Sequence, residues 1–197
     1  MEPEPYLAAY YNRGLEDGRL ASQHGSVEFL TTMRYIERYA KPGDRILEIG
    51  AGTGRYAHAL ARQGYTLDAL ELIPYNIEVF RQNTLTNEQI SIAQGNALDL
   101  SRFADSRYDI TLLLGPMYHL YTEADKIQAL GEAVRVTKKG GRVLVSYCLN
   151  EGTVIMHCSS GATCAAASSW ICSRRTTTAS RTRRKCSSWS GRRTSTG

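Results

Sequence analysis

Between residues 26 and 150, short apolar runs alternate with longer stretches of helical spacing. Residues 47–49 close a predicted strand on Gly50, and 55–63 carry helical spacing. Residues 65–71 are apolar at alternate positions and predict a strand. Pro74 suits the first turn of a helix running to Asn83. Residues 90–94 predict a third strand, and 108–114 a continuous apolar strand of the kind buried in parallel sheets. A helix is predicted over 124–137, a stop and turn over 138–141, and a fifth strand over 142–148. Upstream, Ser26 is the predicted N-cap of a helix to Ala40. Val27, Leu30, Met33 and Ile36 or Tyr35 would form its apolar face. Tyr6, Tyr10 and Tyr11 sit on a predicted short helix, and residues 1–5 are expected to be loose. Strands that alternate with helices predict an α/β fold, a Rossmann-like doubly wound, mostly parallel sheet.

The densest chemistry lies at the end of the first strand, in Leu47-Glu48-Ile49-Gly50-Ala51-Gly52-Thr53-Gly54. Glycines let the backbone bend tightly and let a ligand approach where a Cβ would intrude. The helix that follows presents unpaired N–H groups to an anionic group. A dinucleotide fingerprint would need a third glycine at position 55, which is Arg. Glu71 ends the second strand beside this loop, where a carboxylate can accept hydrogen bonds from ribose hydroxyls. The plainer reading of Glu71 is an exposed strand-end acid. After the fourth strand come Gly115-Pro116-Met117-Tyr118-His119-Leu120-Tyr121. His119 is a candidate general base for an O–H or N–H nucleophile, and a packing or cofactor-contacting histidine is the plainer alternative. Tyr118 reads as pocket wall or hydrogen-bond donor. Tyr10 and Tyr11 read as ordinary packing or as part of a lid formed by residues 1–25.

Composition changes this picture mainly at the C-terminus. The chain has 197 residues and a formal charge of +5. Residues 157–197 hold eight of its 24 basic residues and none of its 19 acidic ones, which leaves residues 1–156 at −3. The earlier part therefore lacks the basic stripe that a polyanion partner needs, and nucleic acid is an unexpected partner. The tail also holds Cys158, Cys164, Cys172 and Cys186, both tryptophans and ten serines, with no countable periodicity. No C-x-x-C occurs, so metal and disulfide frameworks are not expected. Back-translated and read from the third nucleotide of each codon, residues 170–177 become Asp-Leu-Leu-Thr-Glu-Asp-Tyr, an ordinary acidic, apolar-periodic segment. Residues 157–197 are therefore expected to be an aberrant, disordered tail from a frame change near residues 156–158, with a genuine disordered basic tail as the alternative. No apolar run is long enough to span a membrane and no signal peptide opens the chain, so a cytoplasmic protein is expected.

The E-x-G-x-G-x-G pattern from Glu48 to Gly54, with Glu71, Gly95-Asn96-Ala97 and Leu114-Gly115-Pro116, resembles class I S-adenosylmethionine (SAM)-dependent methyltransferases, most nearly their UbiE-like small-molecule branch. The resemblance covers about residues 26–150 and implies a SAM-binding core over 26–156. It implies a cofactor site made by Glu48, Gly50, Ala51, Gly52 and Gly54, by Glu71 and Leu72, and by Leu114 and Gly115. Asn96 and Ala97 would cradle the adenine, with Asn96 near its exocyclic amine where many relatives carry Asp. The implied cofactor is SAM, its product S-adenosylhomocysteine, and the implied partner a small-molecule methyl acceptor, with no metal. A noncatalytic SAM-binding protein and an inactive frame-shifted product are the alternatives. The resemblance also implies an antiparallel hairpin after Cys148, which the tail does not encode.

Overall fold

The computed structural model describes residues 5–12, 14, 18, 20 and 22–147. The expectations for residues 1–4, the end of the fifth strand, the edge hairpin and the tail lie outside the described residues. The order is α1 (Pro5–Tyr11), α2 (Gln23–Tyr39), β1 (Arg45–Ile49), α3 (Arg55–Arg62), β2 (Thr66–Glu71), α4 (Pro74–Asn83), β3 (Ile90–Gln94), β4 (Tyr108–Leu113), a 3-10 turn (Pro116–Tyr118), α5 (Glu123–Val136) and β5 (Thr137–Val145). The strands form one sheet in the order β3-β2-β1-β4-β5, and every pairing is parallel. This is the expected doubly wound architecture. The direction of winding reverses between β1 and β4, and ligands bind beyond the strand ends at such a point.

Each face of the sheet buries its own apolar cluster. Ile46, Leu67, Ala69, Ile110 and Leu112 pack with Met33 and Ile36 of α2, Leu60 of α3 and Phe80 of α4. Leu47, Ile49, Leu70 and Leu113 pack with Ala129, Ala133 and Val136 of α5. The alternation of these residues along β1 and β2 is the period-two pattern of strands buried on both faces. Inside the second layer, Asp68 stitches strands together. Its carboxylate accepts from Arg45 Nη2 (2.8 Å), Ser91 Oγ (2.6 Å) and the Tyr108 hydroxyl (2.7 Å). Burial raises its pKa, but the bonds from Ser91, Tyr108 and Arg45 outweigh that and leave it below the usual carboxylate value.

Three local expectations are corrected. The N-cap of α2 is Ser22, not Ser26: Ser22 Oγ accepts from Gly25 N at 3.1 Å, and Ser26 Oγ donates to Ser22 O. The buried face of α2 runs through Gly25, Phe29, Met33 and Ile36, whereas Val27, Leu30 and Tyr35 face outward, the first two at 65% exposure. At about 100° per residue, positions 25, 29, 33 and 36 share one face and 27 and 30 fall off it. Finally, β5 starts at Thr137, directly after α5. Tyr108 pairs with Thr137 and Ile110 with Arg142, so residues 138–141, predicted as a free turn, are an excursion within the strand, with Gly140 at φ +84°. Among the described residues no helix is long and apolar enough to cross a membrane.

Candidate active site

At the carboxyl ends of β1 and β4 lies a cleft of about 1220 Å³. Its floor is the loop after β1. Gly50 N and Ala51 N both donate to Leu70 O, at 2.8 and 3.1 Å, which ties the loop to β2. Gly54, the N-cap of α3, has φ +92°, and a Cβ there would lie 2.5 Å from Phe80 and 2.6 Å from His58 Nε2. Glycine is therefore required at position 54 by packing. Gly52 differs: its φ is +56°, yet a Cβ would meet nothing within 4 Å, because the residue faces the open cleft. A ligand can approach this backbone closely.

Glu71 is buried, and its carboxylate braces the same loop. Oε2 accepts from Gly52 N at 2.7 Å, and Oε1 accepts from Ile73 N at 2.9 Å and Asn76 Nδ2 at 3.2 Å. The exposed-acid reading of Glu71 is thus excluded. Each carboxylate oxygen offers two lone pairs, so Oε2 keeps one for a ligand hydroxyl. Glu48 lies on the cleft wall at 2% exposure. Burial pushes its pKa up to about 8, against the Ala57 N–H, which lowers it, and with the charge of Glu71 adding to the rise. Its Oε2 has no hydrogen-bond partner. A buried acceptor without a donor is costly unless a ligand supplies one.

The opposite wall comes from α1 and the loop after β4. Gly115 approaches the glycine loop closely: a Cβ there would lie 3.4 Å from Gly50 O. A Cβ on Gly50 would in turn lie 2.7 Å from Pro116 Cδ. Leu114, Gly115, Tyr118, His119 and Tyr121 all line the cleft. The Tyr118 hydroxyl donates to Ser146 Oγ at 2.8 Å, and Ser146 Oγ donates to Leu114 O. Across the cleft, the Tyr11 hydroxyl lies 3.0 Å from His119 Nε2. The Tyr6 hydroxyl donates to the Tyr121 hydroxyl at 2.9 Å.

The candidate residues therefore divide. Glu48, Gly50, Ala51, Gly52, Leu114, Gly115 and His119 line one cleft. Gly54 and Glu71 support its floor from behind. Leu72, Asn96 and Ala97 are off its lining. Asn96 Oδ1 accepts from Leu98 N at 3.0 Å, a local turn that holds the side chain over its own backbone.

Sequence reasoning passed over His58, which is buried with Nδ1 2.7 Å from Glu88 Oε2 and with Nε2 unpartnered. Arg62 Nε binds the other Glu88 oxygen at 2.7 Å. Only the spacing of His58 from Gly54, one helical turn, pointed inward; nothing local announces Glu88 as its partner. Among the described residues no cluster of His, Cys, Asp or Glu could hold a metal ion.

Residues 47–145 match the family model for a methyltransferase domain. The chain is 30% identical over 119 residues to the ribosomal protein L11 methyltransferase of Exiguobacterium sp., covering 59% of this chain and 36% of the relative. It is 32% identical over 104 residues to the demethylmenaquinone methyltransferase of Clavibacter sepedonicus, covering 52% and 40%. The chain thus spans about two fifths of the length of these relatives. Its fold is shared with the PH0226 protein of Pyrococcus horikoshii OT3, with a TM-score of 0.61, 20% identity, and coverage of 70% of this chain and 64% of the other.

Proposed function

The chain belongs to the methyltransferase-domain family, and from that premise we propose that it is a SAM-dependent methyltransferase acting on a small-molecule nucleophile. The observation that carries the reading is the meeting, in one cleft, of a glycine loop open to a ligand at Gly52, an unpartnered buried carboxylate oxygen at Glu48 and a Tyr11–His119 pair.

Bound SAM supplies a methyl group activated by a sulfonium. Of the residues present, the Gly50–Gly54 backbone, Glu48 and Glu71 fit the cofactor: an approachable main chain, an acceptor lacking a donor, and an acceptor with a spare lone pair. Leu114 and Gly115 close the cleft between the cofactor and the acceptor. The Tyr11 hydroxyl, 3.0 Å from His119 Nε2, would relay the proton: it takes the proton that an O–H or N–H acceptor gives up as its own passes to Nε2. α1 lines the cleft through Tyr6, Leu7, Tyr10 and Tyr11, and that supports a lid role in which it would exclude water. We assign the catalytic core to residues 26–156. The ribosomal protein L11 methyltransferases among the relatives favour a second reading, in which the acceptor is a protein.

The test is calorimetric titration of the purified chain with S-adenosylhomocysteine and with NAD. S-adenosylhomocysteine should bind and NAD should not. In Gly52→Val, a branched side chain fills the approach and binding should be lost, beyond a loss of melting temperature from the strain of its φ of +56°. Normal binding by Gly52→Val would contradict the placement of the cofactor.

A further inference from the structure

The amino ends of the strands, remote from the cleft, gather cations from distant parts of the chain. Asp109, near the start of β4, accepts from Arg45 N at 2.9 Å and from Lys138 Nζ at 2.7 Å. Asp68 accepts from Arg45 Nη2 at 2.8 Å and from Arg107 Nη2 at 3.2 Å. The excursion of β5 that carries Lys138 and exposed Lys139 lies against the same residues: a Cβ on Gly141 would meet Asp109 O at 2.7 Å and Lys138 O at 2.9 Å. Arg142 Nη1 donates back to Gly140 O and Gly141 O, at 2.7 and 3.0 Å. Its guanidinium carbon lies 5.6 Å from the centre of the Tyr39 ring, and that of Arg38 lies 5.9 Å from the same ring. The contacts run without a break from Arg38 to Arg107.

Six cations meet two carboxylates here, a net charge of +4, although residues 1–156 together carry −3. Nearby acids do not cancel it: Asp44 stands beside Lys41, Asp105 is paired with Arg135, and Glu37 accepts from Gln63. In the sequence these cations are spread from 38 to 142, so no window shows a basic stripe. Parallel strands all begin at one end, and that brings the cations together. The paired side chains still reach solvent, Arg45 at 38%, Arg107 at 37% and Lys138 at 46% exposure. Because Asp68 already pins two guanidinium groups, they lose little freedom on meeting an anion. The large apolar side chain exposed within the patch is Tyr39, a ring and not an aliphatic wedge for a lipid surface. An exposed ring set among guanidinium groups is a surface on which unpaired bases stack, while the cations track phosphates.

We propose that this patch is a docking surface for single-stranded nucleic acid, with phosphates held by the cations around Asp68 and Asp109 and a base stacked at Tyr39. The strand docks at the opposite end of the sheet from the cleft, about 17 Å away along β1. It is a partner and not the methyl acceptor, and the surface stands independently of the function proposed above.

Fluorescence anisotropy of a labelled uridine dodecamer, titrated with the full chain across a range of salt concentrations, tests this. Arg38→Ala/Lys139→Ala removes two patch charges that no hydrogen bond ties to the fold among the described residues. It should weaken binding at least about five-fold at low salt and flatten the salt slope by about 1.4. Arg38→Gln/Lys139→Gln, which keeps long side chains, should behave alike. Arg102→Ala/Lys126→Ala removes the same charge near the carboxyl ends of the strands and should change affinity by less than about two-fold. Tyr39→Leu should cost at least about five-fold. Thermal melts that match the parent show that affinity, not folding, is read. The basic residues of 157–197 are common to every variant, so binding through them alone would give equal curves for the parent and the patch variants and would overturn the proposal. So would an equal loss in Arg102→Ala/Lys126→Ala, an unaffected Tyr39→Leu, or no binding by the parent. A glutamate dodecamer that displaces the RNA at equal concentration would show an acidic-peptide surface instead, and would equally overturn it.

Discussion

The Tyr11 hydroxyl lies 3.0 Å from Nε2 of His119, across 108 positions of sequence. This bond joins α1 to the loop after β4 on the lining of the cleft. His119→Ala should lower the rate of methyl transfer by about two to four orders of magnitude. Tyr11→Phe keeps the ring contact and removes the hydroxyl, so its loss should be smaller. Both should leave S-adenosylhomocysteine affinity unchanged. Single-turnover rates beside calorimetry check this; a near-normal rate in His119→Ala would leave that residue a structural role.

Glu71 couples binding to stability. Because its oxygens already hold Gly52 N, Ile73 N and Asn76, Glu71→Ala leaves buried donors unpaired. It should cost about 1–3 kcal/mol of folding stability and weaken S-adenosylhomocysteine as well. Denaturant unfolding and calorimetry on the same samples separate the two losses. Unchanged stability would mean that the carboxylate does not brace the loop.

The glycines should sort by what faces them. Gly54→Ala drives a Cβ into Phe80 and His58 at φ +92° and should lower the melting temperature markedly. Gly52→Ala meets open space, so beyond the cost of its φ of +56° its main effect should be on ligand affinity. Thermal melts of the two variants, with and without S-adenosylhomocysteine, distinguish these outcomes.

Glu48 gives a pH signature. Its pKa in the folded chain, about 8, lies above the ordinary 4.5, so the folded state holds a proton that the unfolded state has released. Its contribution to stability is full below about pH 4.5 and is lost as pH rises through 8. Glu48→Gln lacks this loss, so the variant should gain in melting temperature relative to the parent between those values. A constant difference across that window would contradict a protonated Glu48. A cationic ligand set against this carboxyl would lower its pKa, and binding at pH 7 should then release protons, read as a dependence of the heat on buffer ionisation.

Much of this fold was legible because its strands are buried on both faces and bounded by glycines and acids. The residue run from Leu47 to Gly54 and the strand ending at Glu71 announced both the sheet and the cleft floor. The orientation of α2 was not legible, because Val27 and Leu30 are apolar yet face outward, and the true cap, Ser22, lies upstream of an equally plausible Ser26. The start of β5 was hidden by Gly140 and Gly141, which read as a turn but sit inside a strand. Pairings such as Tyr11 with His119 or His58 with Glu88 are long-range and carry no local signal.

Incubation with methyl-labelled SAM, a metabolite extract and a matched protein extract tests the central claim most directly. Label should appear in low-mass products, survive EDTA, and fall by at least about a hundred-fold in His119→Ala. Label confined to protein or nucleic acid, or no label from a chain that binds S-adenosylhomocysteine normally, would contradict it.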